Sequence, residues 1–386
     1  MIPRIKYESD NIDIIKSFFR SNFYRDKLIK SLANRFGVKN VLLTRAARSG
    51  LYYLLKVLPH KKIYIPAYTC WVVPEAALLA KKQIEFVDIN LKDYCIDIDA
   101  LNSLIEQNSI ILATHQFGIP CDIDSILQIA EDKNCIVIED NAAAFGSTYD
   151  NRLTGSFGSA SIISFEFTKT LAGARGGAVL FNDEELYEKV TKFYQDNIIN
   201  STGLDSIKYL VFMMGYNLAA HDNLYGLLHK IFSMVTGETT GYPEYDINNI
   251  SDFYTKNISD QMVKLTYSNL AKVKERINRR KYIAGFYYER LAKIKNIRLP
   301  EYSGIKEPVF MRFPFRIVGA SKKRIYDQFV SQGIDLAFTF SYSCANDHNR
   351  FKDSFVAAEN VLNLPLYSGL REEDIFKIAD CLEKIN

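Results

Sequence analysis

The sequence predicts an α/β protein in which a large domain with a mostly parallel sheet, flanked by helices, precedes a small C-terminal α/β domain. Short, continuously apolar segments alternate with helix-periodic segments through the first half of the chain. Continuous apolar runs are typical of strands buried on both faces, as they are in parallel sheets. A long helical pattern at 261–293 then precedes a second group of mixed elements. We therefore assign 1–250 to the large domain and 251–386 to the linking helix and the small domain.

The predicted elements of the large domain follow one another at the spacing of βαβ units. The apolar strand segments lie at 41–44, 62–68, 84–89, 110–117, 135–140, 160–165 and 177–181. Helical segments lie between and after them, at 48–57, 72–81, 123–133 and 185–196. This alternation favours a parallel sheet covered on both faces, whose ligands bind beyond the carboxyl ends of the strands. Asp140, His115 and Lys169 all fall near or just past such ends.

The C-terminal part begins with the pattern of one long helix. The segment 261–293 contains no proline and a single glycine, Gly285, which a helix tolerates. After it come a strand-like run VFMRFPFRIVG, a helical run SKKRIYDQFVSQG, a strand-like IDLAFTF and a last helical run REEDIFKIADCLEKI. These elements predict a compact α/β lobe.

Two apolar helical segments interrupt this organisation at 207–235. The first, 209–220, is apolar on nearly every side, and the second, 224–235, has one apolar face. Neither reaches the roughly 20 residues that a membrane-spanning helix needs. We interpret the pair as a helical hairpin that either packs in a dimer core or lies in a membrane interface, because so large an apolar area is rarely left in water. The residues expected to be buried against protein or lipid are Leu227, Leu228, Ile231 and Phe232.

Composition excludes several functional classes. The 386 residues are 48% hydrophobic, enough for a large core, and a net charge of +3 without a long basic run gives no nucleic-acid signature. The six cysteines form no CxxC pair, which favours reduced thiols over disulfides or a metal site. The first residues mix acids with apolar side chains, unlike a signal peptide. We expect a cytoplasmic protein, with peripheral contact at the inner face of the membrane through 207–235 as an open alternative.

The most informative stretch runs from Cys135 to Gly177. CIVIED, 135–140, ends a buried strand in an acid, and ASIISFEFTK ends a second apolar strand in a serine followed by Lys169. A lysine and an aspartate at such positions are the minimal requirement of pyridoxal 5′-phosphate (PLP). The lysine amine bonds to the cofactor aldehyde, and the carboxylate keeps the pyridine nitrogen protonated so that the ring accepts electrons. We predict Lys169 and Asp140 as catalytic residues; a surface lysine and an acid that caps a turn are the alternatives.

The same residues resemble a known family. IEDNAAAFG and GSFGSASIISFEFTKTLAGARGG are similar to the EDAAQAHG and S-F-x-x-T-K motifs, with the following Gly-Gly turn, of the DegT/StrS-type sugar aminotransferases. That family has the aspartate-aminotransferase fold, PLP fold type I. Other segments resemble it in the same order: IPAYTC, IEFVDINLKDYCIDIDAL, THQFGIPCDIDSI and VLNLPLYSGL. Each segment is weak alone, but the ordered set is specific and covers most of the chain, with one interruption near 200–250.

The resemblance implies a set of cofactor-binding residues. They are Lys169, Asp140, Ser164, Ala47, Arg48, His115 and Trp71. Ser164 and the loop of Ala47 and Arg48 would hold the phosphate, because that loop opens a helix whose amides attract anions. His115 would contact the cofactor, and Trp71 would stack on its ring. The structural alternatives are a buried-strand serine, an arginine in a salt bridge, a satisfied core histidine and a core tryptophan.

The sequence also departs from the family pattern. The loop TRAARSG, 44–50, lacks the hydroxyl that the family's S-G-T or S-A-T loop supplies to the phosphate. The family's glutamine, which contacts the phenolic oxygen of the cofactor, is Ala143, and its stacking aromatic residue aligns with Cys70. An asparagine that reaches the phosphate from the neighbouring subunit falls on Thr255, with Asn257 close by. These departures bear on the substrate and on the efficiency of the enzyme.

The leading prediction is a PLP-dependent aminotransferase that converts a nucleotide-linked keto-sugar into an amino-sugar for surface-polysaccharide synthesis. By resemblance, glutamate is the amino donor and the enzyme is a homodimer. Family members with histidine in place of Lys169 are dehydratases, so the lysine argues for transamination. Two alternatives stay open: a membrane-associated assembly or regulatory protein on a degenerate aminotransferase scaffold, and PLP-dependent dehydration or aldol chemistry. We expect no metal site and no nucleic-acid partner.

Overall fold

The computed structural model describes residues 1–19, 21–220, 222–235 and 251–384. Its strands are β1 Asn40–Thr44, β2 Lys62–Pro66, β3 Gln83–Val87, β4 Ile110–Thr114, β5 Ile136–Asp140, β6 Thr148–Tyr149, β7 Arg152–Leu153, β8 Ala160–Ser164, β9 Gly177–Phe181, β10 Ile297–Arg298, β11 Lys306–Glu307, β12 Phe313–Ile317 and β13 Val361–Leu364. Its helices are α1 Asn11–Ser17, α2 Phe23–Phe36, α3 Ala47–Val57, α4 Val72–Leu79, α5 Ile98–Leu104, α6 Ile123–Asp132, α7 Glu184–Asn197, α8 Gly203–Ala219, α9 Asp222–Val235, α10 Asp252–Thr255, α11 Asp260–Leu291, α12 Lys322–Ser331, α13 Lys352–Asn360 and α14 Glu372–Glu383.

Seven strands form the central sheet, in the order β1-β9-β8-β5-β4-β2-β3. The pairs from β3 to β8 are all parallel, and β9 alone runs against its neighbours. Every residue of β4, β8 and β9 is buried, which explains why these strands are apolar without alternation. The predicted α/β fold with a mostly parallel sheet flanked by helices is confirmed, and each of the seven apolar segments overlaps one of its strands.

The parallel strands direct their following loops to one edge of the sheet. The loops after β1, β2, β5 and β8 all leave the sheet at its carboxyl edge, where ligands of such sheets bind. Because β9 is antiparallel, it begins at that same edge: Gly177 is in register with Ser164 of β8 and with Thr44 of β1. The fold therefore gathers the residues singled out by the sequence at one edge.

The C-terminal part is built on α11 and a smaller sheet. α11 is capped by the Ser259 side chain, which accepts a hydrogen bond from the Met262 amide, and it contacts α1, α2 and α14. The strands of the antiparallel sheet β10-β12-β13 are interspersed with helices along the chain: α12 and α13 lie between β12 and β13, and α14 follows them. The strand-like segment IDLAFTF forms isolated bridges at Ile334 and Ala337 and not a strand. Ile2 pairs with Ile334, so the first residues of the chain also reach this part. The division at residue 250 stays a prediction.

The predicted hairpin at 207–235 corresponds to α8 and α9; residue 221, in its turn, lies outside the described residues. α8 contacts both α1 and α9. Leu227 is 57% exposed in this chain, so its expected burial is not met within the chain, and Leu228 is half-buried. The side chains of Ile231 and Phe232 lie outside the described residues. None of the helices in the described part is long and apolar enough to cross a membrane.

Candidate active site

A cavity of about 500 Å³ opens at the carboxyl edge of the central sheet. Its walls come from the loops after β1, β2, β5 and β8, from α8, and from residues next to β12 and after α12. The predicted site residues on these walls are Ala47, Arg48, Trp71, Asp140, Ser164 and Lys169. Predicted residues from four separate stretches of sequence thus meet in one place, whereas His115 is not on the cavity wall.

Asp140 is the last residue of β5 and is buried. Its Oδ1 accepts a hydrogen bond from the Ala142 amide at 3.0 Å, and among the described residues no hydrogen bond to Oδ2 is seen. Burial raises the pKa of Asp140 above its ordinary value, while the Ala142 amide and the charges of Lys169 and His115 oppose the rise. A buried carboxylate with a free oxygen is suited to accept a charged N–H from a ligand.

Lys169 lies in the turn that follows β8. Its amide donates to the Glu166 carbonyl at 2.9 Å, which fixes the turn, and its side chain reaches the cavity wall. Within the described part of the chain its amine makes no ion pair. The charge of Lys169 acts to lower the pKa of both Cys70 and Asp140, which indicates that the amine lies close to these two groups. Lys169 is therefore an uncommitted amine beside the buried carboxylate, as a nucleophile in this cavity requires.

The N-terminus of α3 forms a second part of the cavity wall. Ala46 caps the helix without a side-chain hydrogen bond, so the first amides have no protein side chain to satisfy them. Gly177 allows β9 to approach these amides closely: a Cβ at this position would lie 2.4 Å from the Ala47 nitrogen. Ser164, in register with Gly177, also lines the cavity. Free amides, a hydroxyl and a positive helix end together make a cradle for a phosphate.

Arg48 lies on the cavity wall and also has partners within the protein. Its Nη1 is 3.6 Å from Glu75 Oε2, and its guanidinium lies 3.8 Å from the ring centroid of Phe253 and 5.8 Å from that of Trp71. The salt bridge that the sequence analysis named as an alternative for Arg48 is therefore present, and Arg48 also lines the cavity. Trp71 precedes α4 and faces the cavity, so it can offer a ring to a planar ligand.

His115 is buried, is not on the cavity wall, and has its hydrogen bonds satisfied. Its Nε2 is 2.9 Å from Glu139 Oε2, and its Nδ1 accepts from the Cys121 amide at 3.2 Å. Burial acts to raise the pKa of Glu139, but His115 and backbone amides outweigh it, so that pKa is lowered. The amides that donate to Glu139 are those of Gly155, Phe157 and Gly158. This arrangement favours the core-histidine alternative over direct cofactor contact.

One part of the cavity wall, where an arginine lies against aromatic rings, was not predicted from the sequence. The guanidinium of Arg175 lies over the rings of Tyr209 and Phe253, at 3.6 and 4.2 Å from their centroids. Burial lowers the pKa of Arg175 to about 10, and the charges of Arg45 and Arg48 act in the same direction. Tyr209 belongs to α8, which also supplies Phe212 and Met213 to the cavity. The hairpin therefore takes part in the site, and the position of Arg175 in LAGARGG, beside the Gly-Gly turn, was the available signal.

The departures from the family pattern have visible consequences. Ala142 lines the cavity and Ala143 does not, so neither position supplies a hydrogen-bonding side chain to it. Asn257 is engaged elsewhere: its Oδ1 accepts from the Ser201 amide and its Nδ2 donates to Asn200. Within this chain Asn257 serves the connection between α7 and α8.

The residues of the cavity fit PLP. The free oxygen of Asp140 suits the pyridine nitrogen, the unpaired amine of Lys169 suits the aldehyde, and the α3 cradle at Gly177 suits the phosphate. The cavity volume of about 500 Å³ lies within the usual range of small-molecule and cofactor sites.

Comparisons with known proteins agree with this description. A sequence model of the DegT/DnrJ/EryC1/StrS aminotransferase family matches residues 12–222 and 253–383. The GDP-perosamine synthase of Caulobacter vibrioides is 22% identical over 374 residues, which are 92% of this chain and 88% of the relative. The sugar aminotransferase CalS13 of Micromonospora echinospora superposes over 100% of both chains, with a TM-score of 0.77 at 18% identity. The GDP-4-keto-6-deoxy-D-mannose-3-dehydratase of E. coli, solved with hydrated PLP, covers 99% of both chains with a TM-score of 0.77 at 17% identity. At such identities the two structures show the fold alone.

Proposed function

Because this chain belongs to the DegT/DnrJ/EryC1/StrS family of PLP-dependent aminotransferases, we propose that it transfers an amino group from glutamate to a nucleotide-linked keto-sugar. The observation that carries the proposal is the meeting of Lys169, Asp140 and the α3 N-terminus on one cavity. We further propose that the product is an amino-sugar used for surface-polysaccharide synthesis. The enzyme would act in the cytoplasm as a homodimer. Support for the sugar comes from the GDP-perosamine synthase relative.

Each proposed role follows from a property of the side chain. PLP, when bound, supplies an aldehyde and an electron-accepting ring. Asp140 would hold a proton on the pyridine nitrogen, because an ionised, buried carboxylate gains most from a positive partner. Ser164, Arg48 and the amides that begin at Ala47 would hold the phosphate.

Lys169 would do the proton work. It would hold the cofactor through its Nζ and then carry, on the same atom, the proton that leaves the α-carbon of the donor. Its turn is fixed by the hydrogen bond between its own amide and the Glu166 carbonyl, so the amine stays at the cavity. Trp71, Phe212 and Phe253 line the same cavity and would restrict water around it.

A second candidate is dehydration of the sugar, since a dehydratase shares the fold. Lys169 argues against it, because the resemblance places histidine at this position in dehydratases. Lys169 and Asp140 on one cavity also argue against a degenerate scaffold without activity.

The test is a two-stage reaction of the purified holoenzyme. In the first stage, glutamate carrying labelled nitrogen should give close to one 2-oxoglutarate per active site. In the second stage, a panel of nucleotide-linked keto-sugars is added, and mass spectrometry should find the label in one amino-sugar. Lys169→Ala should be inactive in both stages, whereas the matched variant Lys189→Ala, on the exposed side of α7, should behave as wild type. A dehydrated sugar without label would establish the second candidate, and no reaction with any donor would establish the inactive scaffold.

A further inference from the structure

Glu166 is an acidic residue on the cavity wall to which the roles above assign nothing. Among the described residues, Glu166 and Asp140 are the two acids that line this cavity, and Asp140 is proposed to hold the pyridine nitrogen. Glu166 is half-buried and lies two residues after the end of β8. The cavity therefore contains one carboxylate that the cofactor does not require.

The backbone of Glu166 connects the two residues that are proposed to hold opposite ends of the cofactor. Its amide donates a hydrogen bond to Ser164 Oγ at 3.3 Å, and its carbonyl accepts one from the Lys169 amide at 2.9 Å. In the motif S-F-x-x-T-K, Glu166 occupies the first of the two positions that the motif leaves open. It therefore lies beside the cofactor site at a position where relatives are free to differ.

The carboxylate of Glu166 is oriented by the protein but keeps one oxygen free. Its Oε2 accepts a hydrogen bond from the Thr168 amide at 3.2 Å and a second one from the Thr168 hydroxyl. Within the described part of the chain, no hydrogen bond to Oε1 and no ion pair of Glu166 is seen. An oriented carboxylate oxygen without a protein partner can accept hydrogen bonds from a ligand, and such charge-assisted bonds are stronger than neutral ones.

Two cations lie near Glu166 without pairing with it. Burial lowers the pKa of Arg175 and that of Arg312 to about 10, and the charge of Glu166 acts against both shifts. The guanidinium of Arg175 lies over aromatic rings, however, and Nη1 of Arg312 donates to Thr339 Oγ1 at 2.7 Å. Burial raises the pKa of Tyr216 in α8, and the charge of Glu166 acts in the same direction. Glu166 is therefore also close to α8, one of the helices that line the cavity.

The negative charge of Glu166 decides which part of the two proposed substrates it can contact. Glutamate presents two carboxylates, which an acid in a partly buried cavity repels, and its amine must reach the cofactor aldehyde at Lys169. The nucleotide of the acceptor is anionic as well. The sugar, in contrast, carries uncharged hydrogen-bond donors, because each of its hydroxyls has an O–H. A sugar hydroxyl is therefore the group that fits the free oxygen.

We propose that Glu166 is a specificity residue for the acceptor and that its free Oε1 accepts a hydrogen bond from a hydroxyl of the keto-sugar, with Thr168 holding the other carboxylate oxygen. The assignment rests on the proposed function in taking a keto-sugar as the acceptor. It predicts selection for this sugar over the analogue in which that one hydroxyl is replaced by hydrogen, because the site would then leave an oriented carboxylate oxygen unpaired.

The test follows the acceptor half-reaction of Glu166→Gln holoenzyme, since glutamine keeps an oxygen for Thr168 but can present an N–H in place of the free oxygen. With the keto-sugar identified in the two-stage reaction, kcat/KM should fall about 10- to 100-fold, the range of a lost hydrogen bond to a charged group. Among the single-deoxy analogues of that sugar, the one that lacks the contacted hydroxyl should react with wild type and variant at rates within about twofold of each other. The glutamate half-reaction should also stay within about twofold. Glu188→Gln, on the exposed side of α7 and outside the cavity, is the matched control and should change none of these rates.

Binding measurements make the test independent of turnover. The probes are UDP-glucose, GDP-mannose and TDP-glucose, each compared with its nucleoside diphosphate alone. For the sugar nucleotide that wild-type holoenzyme binds most tightly, the dissociation constant should rise at least about 10-fold in Glu166→Gln. The dissociation constant of the matching nucleoside diphosphate should be unchanged, because Glu166 is proposed to contact the sugar alone.

Three results would each overturn the assignment. They are equal losses with the hydroxylated sugar and with every deoxy analogue, a slower glutamate half-reaction in Glu166→Gln, and sugar-nucleotide binding that does not depend on Glu166. If sugar-nucleotide binding depends on Glu166 while no amino group is transferred, the proposed function fails and the assignment of Glu166 stands. If wild type transfers the amino group and Glu166→Gln reacts and binds as wild type does, the assignment fails and the proposed function stands.

Discussion

Replacing Asp140 by asparagine separates the charge of this side chain from its shape. The asparagine oxygen can accept the same 3.0 Å hydrogen bond from the Ala142 amide, so we expect the fold to be kept. What the variant loses is the negative charge that is proposed to hold a proton on the cofactor ring. Removing one partner of a buried, hydrogen-bonded charge pair costs about 2–5 kcal/mol. If all of that cost appears in the transition state, transamination slows by about 30- to 5,000-fold.

The transamination rate should fall in Asp140→Asn, but the free energy of unfolding of the apoprotein should stay the same or rise. Burial raises the pKa of Asp140 in the folded state, so the folded chain holds this proton more tightly than the unfolded chain does. As pH rises through the ordinary aspartate pKa to the raised value, ionisation of Asp140 therefore removes stability. At neutral pH the neutral asparagine avoids this loss. The apo variant should melt at the same temperature as apo wild type or above it, while PLP should raise its melting temperature less.

Thermal melts of both apoproteins with and without PLP, beside the rate of the glutamate half-reaction, check these expectations. A variant with near wild-type rate and the full PLP-induced shift would refute the role of Asp140. A variant whose apo form melts well below wild type would instead show that the carboxylate is needed for folding.

Two further substitutions examine the cradle and the hairpin. Gly177→Ala should destabilise the protein by about 1–3 kcal/mol and weaken PLP binding, because the new Cβ meets backbone atoms 2.4 to 2.9 Å away and neither strand nor helix can yield freely. The control is Gly285→Ala, inside α11, where no atom outside the helix lies within 4 Å of the new Cβ. This variant should stabilise the protein by about 0.5–1 kcal/mol. Chemical denaturation measures both variants, and equal changes in the free energy of unfolding would contradict the reasoning. Phe212→Ala should raise KM for the sugar with little change in melting temperature, because this side chain lines the cavity yet is 56% exposed. The control is Val211→Ala, because the neighbouring Val211 is 55% exposed and does not line the cavity, and this variant should leave KM unchanged. The same KM in both variants would show that Phe212 of α8 does not contact the sugar.

The sequence was sufficient for those parts of the fold that depend on local pattern. Continuous apolar runs identified the strands of the central sheet, since a strand buried on both faces has no polar positions to interrupt it. The same logic placed Asp140, Ser164 and Lys169 at strand ends, and parallel topology brings such ends together whatever their separation in sequence.

The rest depends on packing that no local pattern encodes. His115 has the strand-end position of a site residue, but Glu139 and the Cys121 amide take both of its nitrogens. Tyr209 and Phe253 come from separate segments, and the rings of both lie against Arg175. An apolar helix such as α8 shows its hydrophobic character in sequence but not which face lines a cavity. The sequence around an arginine such as Arg312, which lies next to a strand, does not indicate whether a carboxylate pairs with it in the fold.

The covalent role of Lys169 is the central claim and can be measured directly. Borohydride reduction of the PLP-loaded enzyme fixes the cofactor to whichever lysine holds it, and peptide mapping by mass spectrometry then locates that lysine. The account predicts a single modified peptide, the one that contains Lys169, and no modified peptide in Lys169→Ala. Modification at any other lysine of the wild-type enzyme would contradict it.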